Sequence, residues 1–120
     1  MVKLDKSLYD NSEIIGKYLY CKQKTKDAYL YNIFVVDNIL KDKYTNQITY
    51  QVNRYYMLFV PYIEPRKVFI YDTYKTIELK NCDIIYEMSN SEYINTFRCF
   101  LKYEGKLNTE LPDKIIQDNI

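Results

Sequence analysis

Ile48-Thr49-Tyr50-Gln51-Val52-Asn53, followed after Arg54 by Tyr55-Tyr56-Met57-Leu58-Phe59-Val60, carries the strongest β pattern in the chain. In its first half apolar and polar residues alternate with period two. That spacing predicts a half-buried β-strand with Ile48, Tyr50 and Val52 inward and Thr49, Gln51 and Asn53 outward. The second half is apolar on both faces. Such a segment is either a central strand or an edge covered by another chain. The second alternative makes Tyr55, Tyr56, Met57 and Phe59 a candidate homodimer interface. Arg54 is expected to interrupt the two halves. Pro61 lacks an N–H, so the strand's end should lie at an edge or leave the ladder.

Working outward, short β-type runs recur on both sides. Tyr18 to Gln23 alternates, with Leu19 and Cys21 on one face and Tyr18, Tyr20 and Lys22 on the other. Lys24-Thr25-Lys26-Asp27 reads as a hairpin turn. Tyr29 to Val36 is aromatic and β-branched, with a bend or bulge expected at Asp37-Asn38. Tyr44-Thr45-Asn46-Gln47 and Glu64-Pro65-Arg66-Lys67 read as turns. Further short strands are expected at Val68–Tyr71, Thr76–Leu79 and Ile84–Tyr86. Residues 1–13 are polar with scattered Val2, Leu4 and Leu8, enough for one or two helical turns.

One helix is expected, over about residues 90–104. Ser89 and Glu92 have capping-box spacing. Tyr93, Ile94, Phe97, Phe100 and Leu101 recur at steps of three and four and form its apolar face. Gly105 suits the left-handed residue after a helix. Beyond it, 106–120 is a polar, loosely packed tail in which Pro112 could begin a short helix. The fold class is therefore mainly β (α+β): a small antiparallel meander or SH3-like barrel of six or seven short strands, with one C-terminal helix. The chain, 1–120, is expected to be a single domain.

Composition narrows the chemistry. The 120 residues carry 17 Lys+Arg and 16 Asp+Glu, for a net charge of +1. That balance argues against a polybasic nucleic-acid binder. There is no His, so no His-based triad and no His-containing metal site can exist. Two glycines leave no glycine-rich phosphate loop. The three cysteines, Cys21, Cys82 and Cys99, are odd in number and show no CxxC spacing. No signal peptide or membrane-length apolar run is evident. These features point to a cytoplasmic protein without metal or cofactor, and with no membrane partner. If the chain is phage-encoded, that compartment is the host cytoplasm.

Fifteen tyrosines stand out. Lys, Ile, Asn and Tyr all have A/T-rich codons, and Tyr is a good strand former, so part of the excess needs no function. The rest suggests a surface. Tyr18 and Tyr20 share one strand face, as do Tyr29 and Tyr31. If those strands pair, the four rings form one patch beside Lys22, Lys24 and Lys26. Tyrosine brings contact area at low entropic cost and tolerates water, which suits a protein partner. Aromatic rings beside lysines equally suit a nucleotide or single-stranded nucleic acid. Asp72, Glu78, Asp83, Glu87 and Glu64 could supply paired carboxylates, but their spacing demands nothing. A thiol nucleophile at Cys82 or Cys99 would need an activator, and His is missing.

The expected function is therefore a non-enzymatic binding protein acting through a Tyr-rich surface on a protein partner. A phage or mobile-element inhibitor or accessory factor would have this character. The alternative is a nucleotide or single-stranded nucleic-acid module using the Tyr platform and basic hairpin.

Overall fold

The computed structural model describes residues 1–63, 66–79, 82–104 and 107–108. Its strands are β1 (Val2–Lys3), β2 (Tyr18–Lys24), β3 (Ala28–Lys41), β4 (Ile48–Pro61), β5 (Arg66–Lys67), β6 (Phe69–Tyr71), β7 (Thr76–Glu78), β8 (Cys82–Met88) and β9 (Leu107–Asn108). The α-helix is α1 (Asn90–Tyr103), and single 3-10 turns lie at Lys6–Leu8 and Ser12–Ile14. Seven strands form one antiparallel sheet in the order β1-β8-β2-β3-β4-β6, with β7 on a second stretch of β4. The fold is thus mainly antiparallel β with one C-terminal helix. The SH3-like barrel is not closed, because β8 returns beside β2 instead of sealing the far side of β4.

Two of the strands are not short. β3 and β4 run 14 residues each and pair along nearly their whole length. Arg54 does not end β4. It sits at φ +48, in the left-handed region, where the register against β3 gains one residue between Ile33/Tyr56 and Val35/Asn53. That bulge resets the side-chain parity. Tyr50 and Val52 face one side of the sheet, and the extra residue lets Tyr55 and Met57 face the same side. A second irregularity lies between Val36 and Asn38, at the bend expected for Asp37-Asn38. Arg66 and Lys67, expected in a turn, form a short strand against β9.

Both faces of the sheet are covered. On one, Leu4 and Ile14 from the N-terminal turns and Ile77 from β7 pack on Leu19, Cys21, Phe34, Val36, Tyr50, Val52, Tyr55, Met57 and Ile85. On the other, α1 brings Tyr93 and Phe100 onto Tyr20, Tyr31, Ile33, Leu58 and Val60. Burying each large side chain stabilises by about 1.5–3 kcal/mol, so α1 is held by packing far more than by its own propensity.

The helix begins as its capping box dictates. Ser89 Oγ accepts from the Glu92 N–H at 3.1 Å, and Glu92 Oε1 accepts from the Ser89 N–H at 2.9 Å. Its inward face differs from the expected one. Ile94 and Leu101 are exposed, whereas Thr96 is buried between Tyr93 and Phe100. Thr96 can sit there because its hydroxyl donates to the Glu92 carbonyl at 2.8 Å. Gly105, Pro112 and the remainder of the tail fall outside the described residues, apart from Leu107–Asn108.

Candidate interaction surface

The β2–β3 hairpin forms as expected. Lys22 lies opposite Tyr31, and Lys24 opposite Tyr29. Tyr18, Tyr20, Tyr29 and Tyr31 do share a sheet face, but it is the face that α1 covers. Tyr20 and Tyr31 are buried there, and Tyr18 and Tyr29 are half-buried. Tyr18 stacks on Tyr93 at 4.8 Å between centroids. The Lys22 ammonium sits 4.3 Å from the Tyr29 ring centre and 5.2 Å from that of Tyr31. A base that stacked on those rings would have to displace that ammonium. Lys24 and Lys26 remain exposed at the tip. Tyr62 pins that tip by donating to the Thr25 carbonyl.

The segment Tyr55–Val60 is interior to the sheet, between β3 and β6. Tyr55 and Met57 are buried, and Tyr56 is half-buried with its ring 4.3 Å from Phe97. Phe59 keeps part of its surface open. Both faces of this strand therefore meet neighbours within the chain, with open surface left at Phe59.

Three exposed aromatics gather elsewhere, while Tyr44 stands apart in the β3–β4 turn. In the β4–β6 ladder Phe59 pairs with Phe69, and Met57 with Tyr71. Alternation puts these four side chains on the sheet face opposite α1. Tyr71 touches Phe59 at 6.2 Å and Tyr74 at 6.3 Å, centroid to centroid. Tyr74 in turn meets Tyr55 at 6.0 Å. Phe69, Tyr71 and Tyr74 are 41%, 39% and 47% exposed. Three large rings in one run, each about two-fifths open, form a patch rather than scattered exposure.

Tyr74 also forms one wall of a cleft of about 350 Å³. Leu30, Met57 and Ile77 supply its apolar lining, Tyr55 a second ring, and Gln23, Lys24, Thr25 and Glu78 its polar rim. A buried polar network fixes the walls. Asn32, fully buried on β3, donates from Nδ2 to Gln23 Oε1 and to the Cys21 carbonyl, each at 3.2 Å. Tyr55 donates its hydroxyl to Asn32 Oδ1. Gln23 Nε2 reaches across to the Glu78 carbonyl at 2.8 Å, tying β2 to β7.

Among the described residues, Asp72, Glu78 and Glu87 lie apart from one another. Glu87 pairs with Lys17 at 3.2 Å, and Asp72 lines a separate recess with Arg54 and Tyr74. Asp42 and Glu78 share a recess beside the β3–β4 tip. Asp42 Oδ1, however, accepts from the Thr45 and Tyr44 N–H groups, which hold its carboxyl below the ordinary range. That is a turn-closing role. The side chains of Glu64, Cys82 and Asp83 lie outside the described residues. Cys21 is buried and Cys99 half-buried. Among the described residues, no group of three or more His, Cys, Asp and Glu side chains comes together to hold a metal. No helix among them is long and apolar enough to cross a membrane.

No protein-family model matches the chain, and neither a curated protein nor a solved structure is similar to it.

The exposed run had a faint signal in the sequence. Phe69, Tyr71 and Tyr74 lie within six residues, in a segment without a strong period. What was not legible is that β6 falls at the end of the sheet order, next to Phe59.

Proposed function

We propose that this chain is a non-enzymatic binding protein and that a protein partner docks on the surface of Phe59, Phe69, Tyr71 and Tyr74. The observation that carries this reading is the contiguity of the exposed rings on and just beyond β6, the short strand that ends the sheet order, with Phe59 of β4 beside them. Interface hot spots are enriched in tyrosine, and a run of rigid rings loses little entropy on binding. An inhibitor or accessory factor would use such a surface.

The test is an affinity comparison. The partner is recovered from the native host on the wild-type chain, purified, and titrated against wild type and Tyr71→Ser/Tyr74→Ser. Both residues are exposed, so the variant keeps its fold by circular dichroism. Loss of affinity supports the reading.

The nucleic-acid alternative draws on exposed Lys24 and Lys26 at the hairpin tip. It expects a labelled oligonucleotide to bind at low salt, with affinity falling steeply as salt rises and reduced by Lys24→Ala. Absence of binding at low salt removes it.

A further inference from the structure

We infer that the cleft walled by Tyr55 and Tyr74 receives one neutral aromatic side chain, tyrosine or tryptophan, from the partner polypeptide. The inference rests on the protein-docking reading above and names how that docking is anchored.

Four observations converge on it. First, the cleft is continuous with the exposed surface. The ring contacts run Phe59 to Tyr71 to Tyr74 to Tyr55, and Tyr55 and Tyr74 are cleft walls. A chain lying on the exposed rings therefore passes the cleft mouth. Second, the lining suits an aromatic guest. The Tyr55 and Tyr74 rings are tilted 45° to each other, and Met57 also lines the cleft. Ring–ring and sulfur–ring contacts with such walls add to what an aliphatic guest of equal area would gain.

Third, the rim carries one charge of each sign, Lys24 and Glu78, beside the neutral Gln23 and Thr25. Neither a phosphate nor a lone cation finds a matched field there. A neutral ring with one hydroxyl or N–H finds acceptors and donors at the edge. Fourth, the walls are fixed before binding. Asn32 sits in the core, where an unpaired amide would be costly, and its hydrogen bonds run to Tyr55 and Gln23, both on the cleft. Asn32 is thus a positioning residue. A pre-formed pocket of about 350 Å³ lies within the range of sites that bury a side chain or small ligand.

The experiment is an NMR titration of methyl-labelled full chain with N-acetyl-tyrosinamide, N-acetyl-tryptophanamide and N-acetyl-leucinamide. Saturable shifts of the Met57, Leu30 and Ile77 methyls are expected with the two aromatic amides. The methyls of Leu58 and Val60, under α1, should stay in place. The aromatic amides should bind roughly 2- to 12-fold tighter than the leucine amide, the increment an aromatic pair adds beyond area. Tyr74→Ala, a change at an exposed position, should remove that preference. Unmoved cleft methyls at the highest soluble probe concentration overturn the inference, as does equal affinity for the leucine amide. If the cleft stays silent while Tyr71→Ser still weakens the partner, the anchor fails and the docking reading stands. If neither effect appears, both fail.

Discussion

The hydroxyl of Tyr55 donates to Oδ1 of Asn32 at 2.5 Å, joining two buried side chains on adjacent central strands. Only the bulge at Arg54 makes this pairing available. Without the extra residue, Tyr55 would point towards α1 and Tyr56 would take its place. A backbone irregularity in β4 thus sets the polar network that shapes the cleft.

Tyr55→Phe removes the donor and leaves the buried Asn32 oxygen without it. The expected loss is about 1–3 kcal/mol in urea unfolding, the penalty of a buried polar atom deprived of its partner. Combining it with Asn32→Leu should cost less than the two single changes added together, because the groups act as one unit. Strict additivity would show that the bond is not coupled to the network.

Arg54 holds a left-handed backbone conformation at φ +48. For residues with a β-carbon this costs roughly 1–2 kcal/mol. Its guanidinium offsets part of that by donating from Nη1 to the Tyr18 hydroxyl at 2.6 Å. Arg54→Val, branched at Cβ, should lower the thermal midpoint well below that of Arg54→Gly, which accepts the conformation freely. Equal midpoints would mean that the bulge is not a fixed feature in solution.

Tyr93 donates its hydroxyl to the Arg54 carbonyl at 2.6 Å. Burial, reinforced by Tyr56 and Tyr18 and opposed by Arg54, raises its pKa from 10.0 to about 12. The folded state therefore holds this proton more tightly than the unfolded chain does. Its contribution to stability is complete below about pH 10 and is lost as pH rises towards about 12. Tyrosinate absorbance should show a late-titrating group that disappears in Tyr93→Phe. That variant should also flatten the alkaline fall in stability. An unchanged alkaline limb would contradict the assignment.

Much of the frame was legible in the residues. The alternation of Ile48, Tyr50 and Val52 marks the strand and its inward face, and Ser89 with Glu92 marks the start of the helix. These signals are local, and local periodicity reports them directly. Long-range packing is not local. Tyr18, Tyr20, Tyr29 and Tyr31 share a face as their spacing says, but nothing nearby in the sequence tells that α1 lies over it. The helix face departs from the hydropathy pattern for a related reason. Hydropathy favours Ile94 and Leu101 over Thr96, yet position on the helix puts Thr96 inward, with its hydroxyl satisfied by Glu92. Nor does Arg54 look like a bulge residue, since left-handed positions usually select glycine or asparagine. Phe69, Tyr71 and Tyr74 form no visible pattern in the sequence, and only the pairing of β6 beside Phe59 makes them a surface.

We propose a protein partner docked on the rings of Phe59, Phe69, Tyr71 and Tyr74. Its most direct test is the dissociation constant of the purified native-host partner for wild type and for folded Tyr71→Ser/Tyr74→Ser. If both tyrosines are hot spots, the double variant binds at least about 30-fold more weakly, corresponding to roughly 2 kcal/mol or more. An unchanged constant in the folded variant would rule out docking on these rings.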